Sequence, residues 1–120
     1  MTKQSISIDY FPEGDMLSVT FGKIGRKGSG YELSENIYVR VAPETNEPLG
    51  LTLTSYSKLI KLKSIPLSLW DEISVNKQQI LLSVLQNYPV NLFLNVEKSA
   101  NGSNPSGSFP NKPLQELVAA

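Results

Sequence analysis

The stretch SISIDYFPEGDMLSVTF, Ser5 to Phe21, decides the fold. Ile6, Ile8 and Tyr10 fall on one side of an extended chain and Ser5, Ser7 and Asp9 on the other, the period of two that marks a half-buried strand. Pro12-Glu13-Gly14-Asp15 follows as a turn, with proline to fix φ and glycine to accept a positive one. Leu17, Val19 and Phe21 then alternate with Met16, Ser18 and Thr20, which closes a β-hairpin.

Working outward, the same alternation recurs. Tyr31-Glu-Leu-Ser-Glu-Asn suggests a short edge piece, and Ile37, Val39 and Val41 alternate with Tyr38 and Arg40 in a third strand. Pro43 to Pro48 is a loop by composition, and Leu49, Leu51 and Leu53 alternate with Gly50, Thr52 and Thr54 in a fourth strand. One apolar face per strand makes an antiparallel sheet that needs a cover.

The following segment is expected to supply it. Ser55 reads as the N-cap of a helix with Tyr56, Leu59, Ile60 and Leu62 on its apolar side. Ser64 to Ile73 reads as a second helix, with Pro66 early and Leu69, Trp70 and Ile73 as anchors. Asn76 to Asn87 places Ile80, Leu81, Val84 and Leu85 at helical spacing and ends before Pro89. Val90, Leu92, Leu94 and Val96 alternate again, a fifth strand that would join the sheet or pair with a second copy. From Ser99 the chain turns to serine, asparagine, glycine and proline, too poor in apolar area to offset the entropy of ordering. Residues 99–120 are therefore expected to be a flexible tail, whose Leu114-QELVAA end would form one helical turn or dock on the body, with Phe109 as an anchor.

The fold class expected is α+β: an antiparallel four- to five-stranded meander sheet with one to three helices packed on one face, in a single domain over residues 1–98. Its parts are a sheet region over 6–62 and a helical extension over 64–98. A chain of 120 residues can remove roughly two thirds of its unfolded surface from water.

Composition narrows the chemistry. The sequence has no cysteine and no histidine, which excludes thiolate nucleophiles, Ser-His-Asp and Cys-His catalysis and imidazole metal sites. Lys plus Arg equals Asp plus Glu at 11 each, so no global field draws nucleic acid or an acidic membrane. The N-terminus lacks an apolar signal core, and no apolar run approaches the roughly 20 residues needed to span a bilayer. A cytoplasmic protein with no membrane association is expected.

Two stretches carry candidate sites. The loop 22–31 holds Lys23, Arg26 and Lys27 among glycines, with Tyr31 as a stacking surface, and is the candidate nucleic-acid or anion site. It lacks the lysine and hydroxyl of a phosphate loop after Gly28, and Leu33 stands where a dinucleotide fingerprint needs its third glycine. Gly25-Arg26-Lys27-Gly28 has the form of a KH clamp, but that clamp joins helices and this one joins strands, so nucleic-acid binding is not the preferred reading. The acidic turn of Asp9, Glu13 and Asp15 offers oxygens without the pattern of a calcium loop. No metal site, cofactor or catalytic residue is assigned.

Tyr10-FPEGDMLSV and Leu49-GLTLTSYSKLI together resemble the YuzE-like family of small bacterial proteins of uncharacterised function. The resemblance covers about residues 6–62. It rests on Tyr10, Glu13, Asp15 and Leu17 at the first turn and on Gly50, Leu51, Leu53 and Ser57 at the last strand and the helix after it. Phe11 stands where the family usually has an acid. The resemblance implies a compact curved sheet with a helix against it and an antitoxin-like role beside small toxin-like partners, with no catalytic residue. The reading preferred is a non-enzymatic protein-interaction module, forming a homodimer through a strand edge or binding a protein partner. A nucleic-acid-binding module at the basic loop comes second and a small metal-dependent enzyme at the acidic turn third.

Overall fold

The structure is a computed structural model and describes residues 5–23, 25–99 and 104–110. Five strands form the main sheet: β1 (Ile6–Phe11), β2 (Met16–Phe21), β3 (Ser29–Ser34), β4 (Ile37–Val41) and β5 (Pro48–Leu53). All neighbours are antiparallel, in the order β1-β2-β5-β4-β3. The α+β class stands, with connectivity that differs from a plain meander: β3, β4 and β5 meander, and β5 returns to pair with β2. The pairing follows from the hydrophobic faces. Leu53 lies opposite both Leu17 and Ile37, and Leu51 opposite both Val19 and Val39, so two apolar rows cross the sheet without interruption.

Those rows form the core together with Phe21, Leu33 and Val41. The other face of the sheet is wet and polar, carrying Asp9, Ser18, Thr52 and Tyr38 in one cross-strand row. Gly50 sits on that face under Arg40: a Cβ at Gly50 would stand 3.3 Å from the Val19 carbonyl oxygen, a tight approach, and 3.5 Å from Arg40 Nε, an ordinary contact.

The apolar face is covered by the second half of the chain. A single helical turn, α1 (Tyr56–Leu59), buries Tyr56 and Leu59, and α2 (Val75–Leu85) buries Leu81 and Leu85. Among the described residues no helix is long and apolar enough to cross a membrane. A second sheet of three short strands, β6 (Ile65–Pro66), β7 (Asn95–Glu97) and β8 (Ser106–Ser108), completes the cover, with β8 in the middle.

Three expectations are corrected here. The segment Ser64 to Ile73 is not a helix but β6 followed by a 3-10 turn at Trp70–Glu72, because its backbone finds distant partners: Leu67 N–H donates to Pro105 and Leu69 N–H to Leu33. Val90 to Val96 is not one strand in the main sheet. Val90–Leu92 makes a 3-10 turn, and Asn95–Glu97 alone is extended, as β7 of the second sheet. Finally, part of the tail is ordered. β8 pairs with both β6 and β7, Gly107 and Pro105 are buried, and the Phe109 ring meets Tyr56 edge-on at 6.1 Å. The expectation for residues 100–103 and 111–120, Leu114 to Ala120 included, lies outside the described residues.

Gly107 explains why so plain a sequence is held in place. A Cβ there would come within 2.9 Å of Leu94 Cδ1, so a larger residue makes the buried Leu94 side chain shift, and glycine lets β8 approach the core without that.

Candidate functional site

The acidic turn proves to be a structural lock. Asp15 takes a left-handed conformation, φ 49°, which an aspartate tolerates at a tight turn. Its carboxylate accepts the Tyr10 hydroxyl at 2.7 Å, the Ser57 hydroxyl at 2.6 Å and the Ser57 backbone N–H at 3.0 Å, while its carbonyl accepts Tyr56 N–H at 2.9 Å. Ser57 N–H is one of the donors that a helix start leaves without an internal partner. Asp15 therefore caps α1 from 42 positions away in sequence. Ser55 sits at φ 51° and makes no side-chain cap, so the expected N-cap is replaced by a remote one.

The electrostatics follow from these bonds. The hydrogen bond from Ser57, with the one from Tyr10, holds the Asp15 carboxyl below the usual carboxylate range. Donating to that carboxylate raises the Tyr10 phenol above its ordinary value, and burial raises Tyr56. Because the folded-state value of Asp15 is depressed, the contribution is complete above the unfolded-state value of about 3.9 and is lost as pH falls through the folded-state value. Asp15→Asn is expected to cost about 1 kcal/mol at neutral pH, the scale of a lost cap at a half-exposed site, and to flatten the acid limb of melting temperature against pH. Thermal melts from pH 7 to 3 check this. An unchanged acid limb would remove the lock.

The residues of the first-turn motif are thus only partly gathered. Tyr10 and Asp15 meet, Glu13 is exposed at the turn, and Gly50 lies on the outer face of the sheet under Arg40. Among the described residues no three acidic side chains converge on a point where a cation could sit.

The basic loop is likewise divided. Gly22 and Gly25 take positive φ values of 79° and 90°, which is their structural use. Arg26 is paired with Glu47 at 2.7 Å, and Lys23 and Lys27 are exposed. Tyr31 belongs to β3 rather than to the loop and is half-buried against the core, on the face away from Gly30 and Glu32.

A different feature stands open. β1 pairs with β2 in the register Ile6 to Phe21, and the Gly22 N–H donates to the Ser5 carbonyl at 2.7 Å. Hydrogen-bonded and non-bonded pairs alternate in an antiparallel ladder, so Ser7, Asp9 and Phe11 face β2 and the backbone groups of Ile6, Ile8 and Tyr10 point outward. Among the described residues no strand pairs with that outer edge. Ile8 is 43 % exposed and Phe11 48 %. The opposite edge, at β3, is protected: Leu69 N–H donates to the Leu33 carbonyl, and the β3–β4 register slips between Glu32 and Ser34. Alternation in the sequence marks β1 as a strand, but its being an edge depends on where β5 inserts.

Comparison of the chain with protein-family models, with curated proteins and with solved structures finds no match.

Proposed function

We propose that the protein is a non-enzymatic interaction module that works through the β1 edge, and that the occupant of that edge is a second copy of the chain. The observation that carries this reading is the asymmetry of the two sheet edges, one protected by the Leu69 to Leu33 bond and a bulge and the other, over the six residues of β1, paired with no strand among the described residues. Sheet edges in soluble proteins are usually blunted by charged side chains, lysine above all, by proline or by a bulge. Of these ISIDYF has only Asp9, and its register with β2 runs without a break.

Self-pairing also fits the side chains. An antiparallel β1 to β1 contact about a two-fold axis at Ile8 sets Ile8 against Ile8 and Ile6 against Tyr10, each exchanging both N–H···O=C bonds. Asp9 then faces Ser7, which avoids like charges across the axis. The toxin-like partner that the YuzE-like resemblance implies would use the same backbone groups.

Ile8→Lys tests the reading. It sets lysine opposite lysine on the axis while leaving the β1–β2 ladder intact, and the half-exposed position limits the stability change to about 1 kcal/mol. Sedimentation of the parent chain is expected to show a monomer–dimer equilibrium with Kd about 10–100 µM, and the variant to remain monomeric. A parent chain that is monomeric throughout that range would sink self-association.

A further inference from the structure

The second sheet has its last strand in the middle. β6 and β7 flank a slot one strand wide, and the segment that fills it, Pro105 to Phe109, makes the contacts of a bound peptide. Backbone pairing runs along both sides, with Gly107 opposite Ile65 on one and Val96 on the other, and Ser106 opposite Pro66 and Glu97. The Pro105 carbonyl accepts Leu67 N–H at 2.9 Å, just beyond the β6 ladder.

The side chains of the segment follow the pleat. Pro105 and Gly107 are buried and the Phe109 ring packs on the core edge-on to Tyr56, whereas Ser106 and Ser108 between them are half-buried. The floor under Gly107 is made by Leu94 and Leu67, both fully buried: a Cβ at Gly107 would stand 2.9 Å from Leu94 Cδ1 and 3.8 Å from Leu67 Cδ2. The slot therefore selects at alternate positions, a residue without a side chain over Leu94 and an aromatic ring beside Tyr56. Extended peptides added to a sheet are recognised in this way, with affinity from main-chain hydrogen bonds and selectivity from every second side chain. These contacts all belong to residues 105–109 themselves. Covalent connection to β7 raises the local concentration of the segment and adds none of them.

We propose that the slot between β6 and β7 is a binding site for an extended peptide of the pattern Pro-x-Gly-x-Phe. The chain fills it with its own residues 105–109 as an internal ligand, and a partner segment of the same pattern competes for it. The inference is independent of the β1 edge.

The probe is a fluorescein-labelled peptide of residues 104–110, Asn-Pro-Ser-Gly-Ser-Phe-Pro, followed by anisotropy with full-length chains. Gly107→Leu in the protein crowds Leu94 and withdraws the internal ligand, and this variant is expected to bind the peptide saturably with Kd about 10–100 µM. Phe109→Ala loosens the internal ligand without crowding the slot, and is expected to bind the same peptide several-fold more weakly than Gly107→Leu. The parent chain, whose own segment competes at an effective concentration of about 1 mM, should bind at least tenfold more weakly than Gly107→Leu. A peptide that itself carries Gly107→Leu should show no saturable binding to any of the three chains. Absence of binding by both variants overturns the proposal, as does equal binding by the parent chain or by the peptide that carries leucine.

Discussion

A chain ending at Lys98 is expected to melt about 10–20 °C below the full chain, a loss of at least about 3 kcal/mol. Such a truncation removes β8, the middle strand of the second sheet, and leaves β6 and β7 without a partner. Leu67 N–H loses the Pro105 carbonyl, and Tyr56 loses the edge-on contact with Phe109. Leu67, Leu94 and Val96, all buried in the intact protein, then meet water. A full-length variant separates the strand from mere chain length. Gly107→Leu keeps every residue after Lys98 but forces a side chain into the space occupied by Leu94 Cδ1, and should cost about 1–3 kcal/mol. Melting curves of both chains check this, and a truncated chain as stable as the parent would show that β8 contributes nothing to the fold.

The second large effect is expected at the centre of the main sheet. Leu53 is 0 % exposed and lies between Leu17 and Ile37, where the two halves of the sheet join. Leu53→Ala removes buried methyl groups from a row that cannot collapse without moving three strands. It should cost about 2.5–4 kcal/mol, a large share of the about 5–15 kcal/mol of a typical domain. Leu62→Ala is the internal comparison. Leu62 was expected on the apolar side of a helix, yet α1 stops at Leu59 and Leu62 is 54 % exposed, so its loss should stay within about 0.5 kcal/mol. Chemical denaturation of the two variants measures both. Equal effects would contradict the position of the β2–β5 seam.

These two predictions mark what the sequence could and could not say. β2, β4 and β5 were legible because each has one dry and one wet face, and Leu17, Val19 and Phe21 or Ile37, Val39 and Val41 recur with the period of the pleat. The insertion of β5 beside β2 was not legible, since Leu49, Leu51 and Leu53 would fit either neighbour equally well. β8 leaves no such trace in the sequence, for a different reason. Ser106-Gly107-Ser108 carries no apolar pattern, and what holds it is backbone pairing on both sides and the close approach that glycine allows. A composition that lacks large side chains speaks to missing burial, not to missing hydrogen bonds.

The candidate sites divide in the same way. Asp15 stood out as a motif residue, but its use depends on Ser57, which only the folded chain brings to 2.6 Å. Gly22 and Gly25 of the basic loop act as turn formers, and Tyr31 lies in β3, in keeping with the short edge piece its sequence suggests, with its side chain against the core. Trp70 is expected as a core anchor and is one, 6 % exposed within the main core. The open edge of β1 follows from the strand order alone.

The most direct measurement of the proposed function is amide hydrogen exchange at Ile6, Ile8 and Tyr10, whose N–H groups face away from β2. If a second copy pairs with this edge, exchange at these three amides slows as protein concentration rises from about 1 µM to about 1 mM, while Ser7 and Asp9, already bonded to β2, are protected throughout. Exchange at Ile6, Ile8 and Tyr10 that is fast and independent of concentration would contradict the account.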